Sequence, residues 1–339
     1  MIDQRLIDEP AFAAEADAFL AARPAGGAGQ AQAQDLLTAM RGRVAGPEIA
    51  GRPDPAVRVA DLYLPARSGP VQVRAYAQAG DQVPRPLLLW LHGGGFVAGS
   101  VRDLDHVCSR LARLAELTVV SLEYRLAPEH PYPAALHDAC DAAAWLAAHG
   151  SLLGGDGRLA AGGLSAGAAL VAGACLMARD QGGPVLTSQV LCYPALDFGQ
   201  DTESVREFNG VQITVGPDSF PQTAYLAGQQ PDGYAAPLRA ASLAGLPPAL
   251  VIGAGRDPLR DDARGYARRL DADGVQVTHI EYAGVVHGFL NACGVLSAGD
   301  HAIGVIAAEL RRAHAPAAGS AAGDGRGDRS PRPSVASAP

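Results

Sequence analysis

The chain has 339 residues, of which 48% are hydrophobic and 18% charged, a balance that fits a folded enzyme rather than a disordered or fibrous chain. Its formal charge of −8 is spread along the sequence, so the basic stripe that neutralises nucleic-acid phosphates is missing and no nucleic-acid partner is expected. All 27 basic residues are arginine, which excludes Schiff-base chemistry, a phosphate-loop lysine and a Ser-x-x-Lys acyl-transfer site.

Met1 to Pro10 carries Asp3, Asp8 and Glu9 and lacks the basic-then-apolar order of a signal peptide. The cysteines (108, 140, 175, 192 and 293) are odd in number and widely spaced, as free thiols in a reducing compartment would be. The expected location is therefore the cytoplasm. Helical patterns at 11–22 and 31–43 follow, and residues 1–50 are read as N-terminal cap helices. Two alternating runs, 57–64 and 71–77, joined by a Pro/Gly turn, predict a hairpin. Short apolar runs at 87–91, 118–122, 159–163, 185–192, 249–253 and 275–282 come next. Helical stretches at 103–114, 134–149, 166–180, 261–273 and 299–313 separate or follow them. Buried strands alternating with helices predict an α/β fold, a mostly parallel eight-stranded sheet covered on both faces. The apolar stretch 162–178 is short and rich in Gly and Ala, so it predicts a buried helix rather than a membrane span.

The alternation lapses between about 198 and 246, where Phe208, Phe220, Tyr225 and Tyr234 stand among polar, Pro and Gly residues. This is the expected cap insertion into a catalytic domain spanning 51–314, placed over the carboxyl edge of the sheet where such folds bind ligands. From residue 315 the composition predicts a disordered tail, in which Arg326-Gly327-Asp328 is a chance tripeptide.

Gly163-Leu164-Ser165-Ala166-Gly167 sits between a predicted strand and an apolar helix, the context of a nucleophile elbow. Small neighbours permit the tight turn, and the helix start offers unpaired N–H groups to developing negative charge. His92-Gly93-Gly94-Gly95 follows the strand at 87–91, and glycines there can aim backbone N–H groups at a substrate oxygen. Gly93, Gly94 and Ala166 are the expected oxyanion donors. In a fold whose triad runs nucleophile, acid, base, four histidines follow Ser165. His279 lies within a strand, while His301 and His314 lie on the last helix. His287 alone follows a strand end in a loop, and is the expected base. Asp257 follows the strand at 249–253 directly and is the expected acid, with Asp261 and Asp262 deeper in the next helix. Histidines and cysteines show no metal-ligand spacing along the chain, so no metal or other cofactor is expected.

Five ordered segments carry a resemblance: His92–Phe96, Tyr124–Ala135, Gly163–Gly167, Asp257–Asp261 and His287–Phe289. From about residue 57 to 313 the chain resembles the hormone-sensitive-lipase-like esterases of the α/β-hydrolase fold. That resemblance implies a carboxylesterase of short acyl chains, frequently dimeric, with a cap built from the N-terminal arm and the insertion. It also implies Asp257 rather than Asp261 as the acid. The chain departs from the family at Leu164, where many members carry Asp or Thr, and at Ala168 and Ala169, where Gly-Asn is common. Phe96, Phe208, Phe220, Tyr225 and Phe289 are the candidate pocket residues. The same triad would serve amides, arylformamides or lactones, and a protein of this fold could also bind ligands without catalysis.

Overall fold

The computed structural model describes residues 2–22, 33–42, 45–80, 83–199 and 201–315. Among them, strand side chains alternate between two cores: Leu87, Leu89 and Leu91 face one, Leu88 and Trp90 the other, as the two-residue period of a strand requires. The strands are β1 (Asp3–Ile7), β2 (Val57–Ala66), β3 (Gly69–Gln78), β4 (Arg85–Leu91), β5 (Thr118–Leu122), β6 (Gly155–Leu164), β7 (Gln189–Cys192), β8 (Ala249–Arg256) and β9 (Val277–Val286). They form one sheet in the order β1-β9-β8-β7-β6-β4-β5-β3-β2. Only the β2–β3 and β3–β5 pairings are antiparallel.

The sheet thus has nine strands rather than the eight expected. The additional strand, β1, pairs in parallel with β9. Its sequence, Asp-Gln-Arg-Leu-Ile, is mostly exposed. An edge strand gains from backbone pairing without an apolar stripe, and charged side chains protect such an edge. The expected strand at 185–192 is correspondingly shorter, because residues 185–188 form the approach to β7.

The helices are α1 (Pro10–Ala21), α2 (Ala33–Arg41), α3 (Pro47–Ala50), α4 (Asp105–Ala115), α5 (Ala134–His149), α6 (Ala166–Gln181), α7 (Glu203–Phe208), α8 (Phe220–Leu226), α9 (Arg260–Ala272) and α10 (Ser297–His314). Helices α5, α6 and α9 cover one face of the sheet, α4 and α10 the other. The arm divides in two. Helix α1 braces the sheet edge, with Ala13 so close that a Cβ on Gly284 of β9 would lie 2.6 Å from its Cβ. Helix α2 instead sends Leu37 into the core that contains Phe96 and Tyr225. The tail expected from 315 onward lies, from 316, outside the described residues. No helix among the described residues is long and apolar enough to cross a membrane.

Candidate active site

Strand β6 ends at Leu164 and α6 begins at Ala166, leaving Ser165 between them at φ 54°, ψ −117°. That conformation is strained for a residue with a Cβ. The Ser165 N–H donates to Cys192 O at 2.9 Å. The turn closes because its flanks are glycine: a Cβ on Gly163 would lie 2.7 Å from Gly167 C, and one on Gly167 2.3 Å from His92 O. The result holds Oγ out at the carboxyl edge of the sheet, beside the start of α6.

His287, just past β9, places Nε2 3.0 Å from Ser165 Oγ and Nδ1 2.7 Å from Asp257 Oδ2. Asp257 is fully buried, and its Oδ1 accepts from Leu259 N at 2.9 Å. A carboxylate so placed takes the Nδ1 hydrogen, which leaves the Nε2 lone pair facing the hydroxyl. Tyr193 meets the imidazole edge-on at 4.9 Å. The other histidines serve elsewhere: His301 bonds Tyr282, His314 bonds Thr187, and His279 is buried within β9. Asp261 accepts from Ser204 N, and Asp262 from Leu196 N and Asp197 N. Both carboxylates fasten neighbouring loops rather than the imidazole. Burial pushes Asp262 up to about 7, against the pull of its two amides.

The loop after β4 runs through positive φ at Gly94 (122°), Gly95 (63°) and Phe96 (66°). A Cβ on Gly94 would stand 2.0 Å from Ala98 O. Among the described residues, neither the Gly93 nor the Gly94 N–H donates to a backbone carbonyl. The loop lies against the serine, since a Cβ on Gly93 would be 3.4 Å from Ser165 Cβ. Ala166 opens α6, where first-turn N–H groups have no intrahelical carbonyl. Beneath the loop, His92 stacks on Tyr124 with ring centroids 4.1 Å apart and holds Gly93 O through Nδ1 at 2.7 Å. Burial pushes His92 down to about 4, so this imidazole is a neutral prop.

Phe96 stacks on Tyr225 at 3.8 Å, and Phe198 approaches both at 6.1 Å. Phe220 packs against the same core. Phe208 lies under the guanidinium of Arg260, at 5.3 Å. Phe289 is placed differently from the expectation: it is wholly buried in the opposite core, against Tyr193 and Tyr282. It supports the ring that contacts His287 instead of lining the aromatic group around Phe96, because its short 3-10 turn, Phe289–Ala292, dips back into the sheet layer.

Residues 88–291 match the model of a family described by the alpha/beta hydrolase fold. The esterase LipI of Mycobacterium tuberculosis is 41% identical over 255 residues, which cover 73% of this chain and 80% of that protein. The chain belongs to the hormone-sensitive-lipase-like family of α/β hydrolases. It is a hydrolase. An ethyl acetate hydrolase of Pseudomonas putida is 32% identical, with coverage of 78% and 86%. The solved esterase of the archaeon Pyrobaculum calidifontis is 41% identical with a TM-score of 0.72, over 82% of this chain and 89% of that one.

Within this family frame the departures have structural places. Leu164 is fully buried in the core on the α4 and α10 side, and Ala168 and Ala169 pack in the opposite core. Sequence reasoning passed over Tyr193 and Phe198, and met Tyr132 only as part of the segment Tyr124–Ala135, with no role of its own. Tyr193 directly follows β7, the strand beside the elbow strand, and that position was the available signal. Tyr132 meets Tyr225 edge-on at 5.6 Å and bonds Asp232 at 2.7 Å, a contact between distant segments that carried none.

Proposed function

We propose that this hydrolase is a serine carboxylesterase acting on short- to medium-chain esters through an acyl-enzyme on Ser165. The observation that carries the reading is the unbroken line from Asp257 Oδ2 through His287 to Ser165 Oγ, with steps of 2.7 and 3.0 Å. His287 Nε2 takes the hydroxyl proton as Oγ attacks the ester carbonyl, and Asp257 orients the imidazole and offsets its charge. The carbonyl oxygen becomes an oxyanion facing the N–H groups of Gly93, Gly94 and Ala166. His287 then protonates the departing alcohol. Water, deprotonated by the same nitrogen, attacks the acyl-enzyme and releases the acid.

Helices α2, α7 and α8 act as the cap. Pro221 of α8 and Met40 of α2 both approach Gly95, to 2.9 and 3.7 Å from where a Cβ would stand. The packed rings of Phe96, Phe198 and Tyr225 beside the oxyanion loop would form an apolar wall against the acyl chain, which supports a preference for short chains. The ethyl acetate hydrolase relative is named for a short-chain ester, which supports that preference.

The test combines labelling with a substrate panel. Purified protein should take up one fluorophosphonate at Ser165, and p-nitrophenyl acetate and butyrate should turn over faster than long-chain esters, lactones or arylformamides. Failure to label would mark a binding protein of the same fold. Faster turnover of a lactone or arylformamide would keep the triad and replace the substrate class.

A further inference from the structure

Away from the triad, three side chains far apart in sequence converge on the other side of the sheet. His106 lies in the first turn of α4, Cys293 closes the short turn after His287, and Asp300 lies in the first turn of α10. Their ligand atoms all lie within 4.8 Å of one another, with His106 and Cys293 buried and Asp300 partly exposed. His106 Nδ1 is 2.6 Å from Arg52 O. A carbonyl only accepts, so Nδ1 carries the hydrogen. Nε2 then faces Asp300 Oδ1 at 3.0 Å, an acceptor set against a carboxylate unless a second proton or a cation lies between them. Arg110 reaches the same oxygen only at 3.7 Å.

We infer that His106, Cys293 and Asp300 form a structural binding site for a divalent transition-metal ion such as Zn²⁺. An ion pair would account for the histidine and the carboxylate but leaves the thiol outside it; that thiol donates to Leu290 O at 3.2 Å, a bond it would give up on binding the ion. Nitrogen, sulfur and oxygen together form a zinc-type donor set, with water in the fourth position. Tetrahedral bonds would set the ligand atoms about 3.3 to 3.6 Å apart, so the His106–Asp300 pair would open slightly from 3.0 Å while the rest of the cluster closes from within 4.8 Å. The backbone carbonyl on Nδ1 is the outer partner that ligating imidazoles usually have. Both buried donors are also held in place. A Cβ on Gly51 would lie 2.6 Å from His106 Nδ1, and one on Gly299 2.6 Å from Cys293 Sγ. On binding, the thiol loses its proton to solvent, and thiolate plus carboxylate neutralise the ion. The ion would join α4, α10 and the loop that follows the base.

Chelator-treated protein titrated with Co²⁺ tests this. The expected result is one equivalent bound per chain, with a near-ultraviolet thiolate-to-cobalt band, displacement by Zn²⁺ and a higher melting temperature. Cys293→Ser should lose that band, and Asp300→Asn, a surface change that spares folding, should weaken binding at least tenfold. No saturable binding by the folded protein would overturn the site and leave a His106–Asp300 ion pair. An undiminished band in Cys293→Ser would overturn it equally, by assigning the metal to another cysteine. Fluorophosphonate labelling of Ser165 in every sample reports the triad separately, so failure of this site would not be failure of the esterase reading.

Discussion

The loops beneath the substrate position and the helices above it owe their shapes to different parts of the chain. Below, the backbone decides: Ser165 sits at a positive φ between glycines, and Gly94 leaves no room for a Cβ. Above, side chains decide. Arg41 of α2 grips Glu129 through two bonds of 2.8 and 2.7 Å and donates to Val97 O at 2.9 Å. Tyr132 ties its own loop to Asp232, and Asp261 ties α9 to Ser204 of α7. Rigid dipoles are what a developing oxyanion requires, whereas a covering layer made of side-chain contacts can be replaced residue by residue. The chemistry is therefore expected to be brittle and the substrate range adjustable.

The largest effect should come from the nucleophile. Ser165→Ala should reduce ester turnover on the order of a millionfold while leaving the melting temperature within a few degrees, since only one half-buried hydroxyl and its bond to His287 are removed. Retained turnover would detach the strained turn from the chemistry. Next comes Asp262, beneath the acid loop. Its folded carboxyl keeps a proton up to about pH 7, pushed by burial well above the ordinary aspartate range. The stability of the protonated form is thus complete below about pH 4 and is lost as pH rises toward 7, by on the order of 4 kcal/mol. His92 acts in the opposite sense: neutral down to about pH 4, it costs stability as pH falls from about 6.5. Urea unfolding of wild type and Asp262→Asn from pH 4 to 8 isolates the first slope, and parallel curves would refute it.

Gly94→Ala should lower kcat by about 10²- to 10³-fold, the usual loss for an oxyanion donor, because its Cβ meets Ala98 O. Fluorophosphonate labelling should persist. The smallest effect belongs to the layer above. Arg41→Ala should change KM and acyl-chain preference by less than about tenfold with kcat nearly unchanged, since an exposed ion pair contributes little. A kcat loss as large as that of Gly94→Ala would erase the distinction between floor and cover.

What could be read in the sequence follows the same division. Glycines and a serine at strand ends announce backbone shapes locally, so the elbow, the Gly93–Gly95 loop and the position of His287 were visible as short segments. The eight apolar strands were legible for the same reason, because burial on a pleated surface writes an alternation or a run. Strand β1 wrote neither, being an exposed edge held by backbone bonds. Phe289 was misplaced because aromaticity in a loop does not say which side of a sheet the ring will enter. The group of His106, Cys293 and Asp300 left no spacing to find, since three separate elements supply it.

The pairing of β1 with β9, and the contact of Ala13 with Gly284, put residues 3–21 to work on the strand that ends immediately before the base. Trimming the amino terminus to simplify expression would accordingly peel the sheet at its far margin and slacken the imidazole.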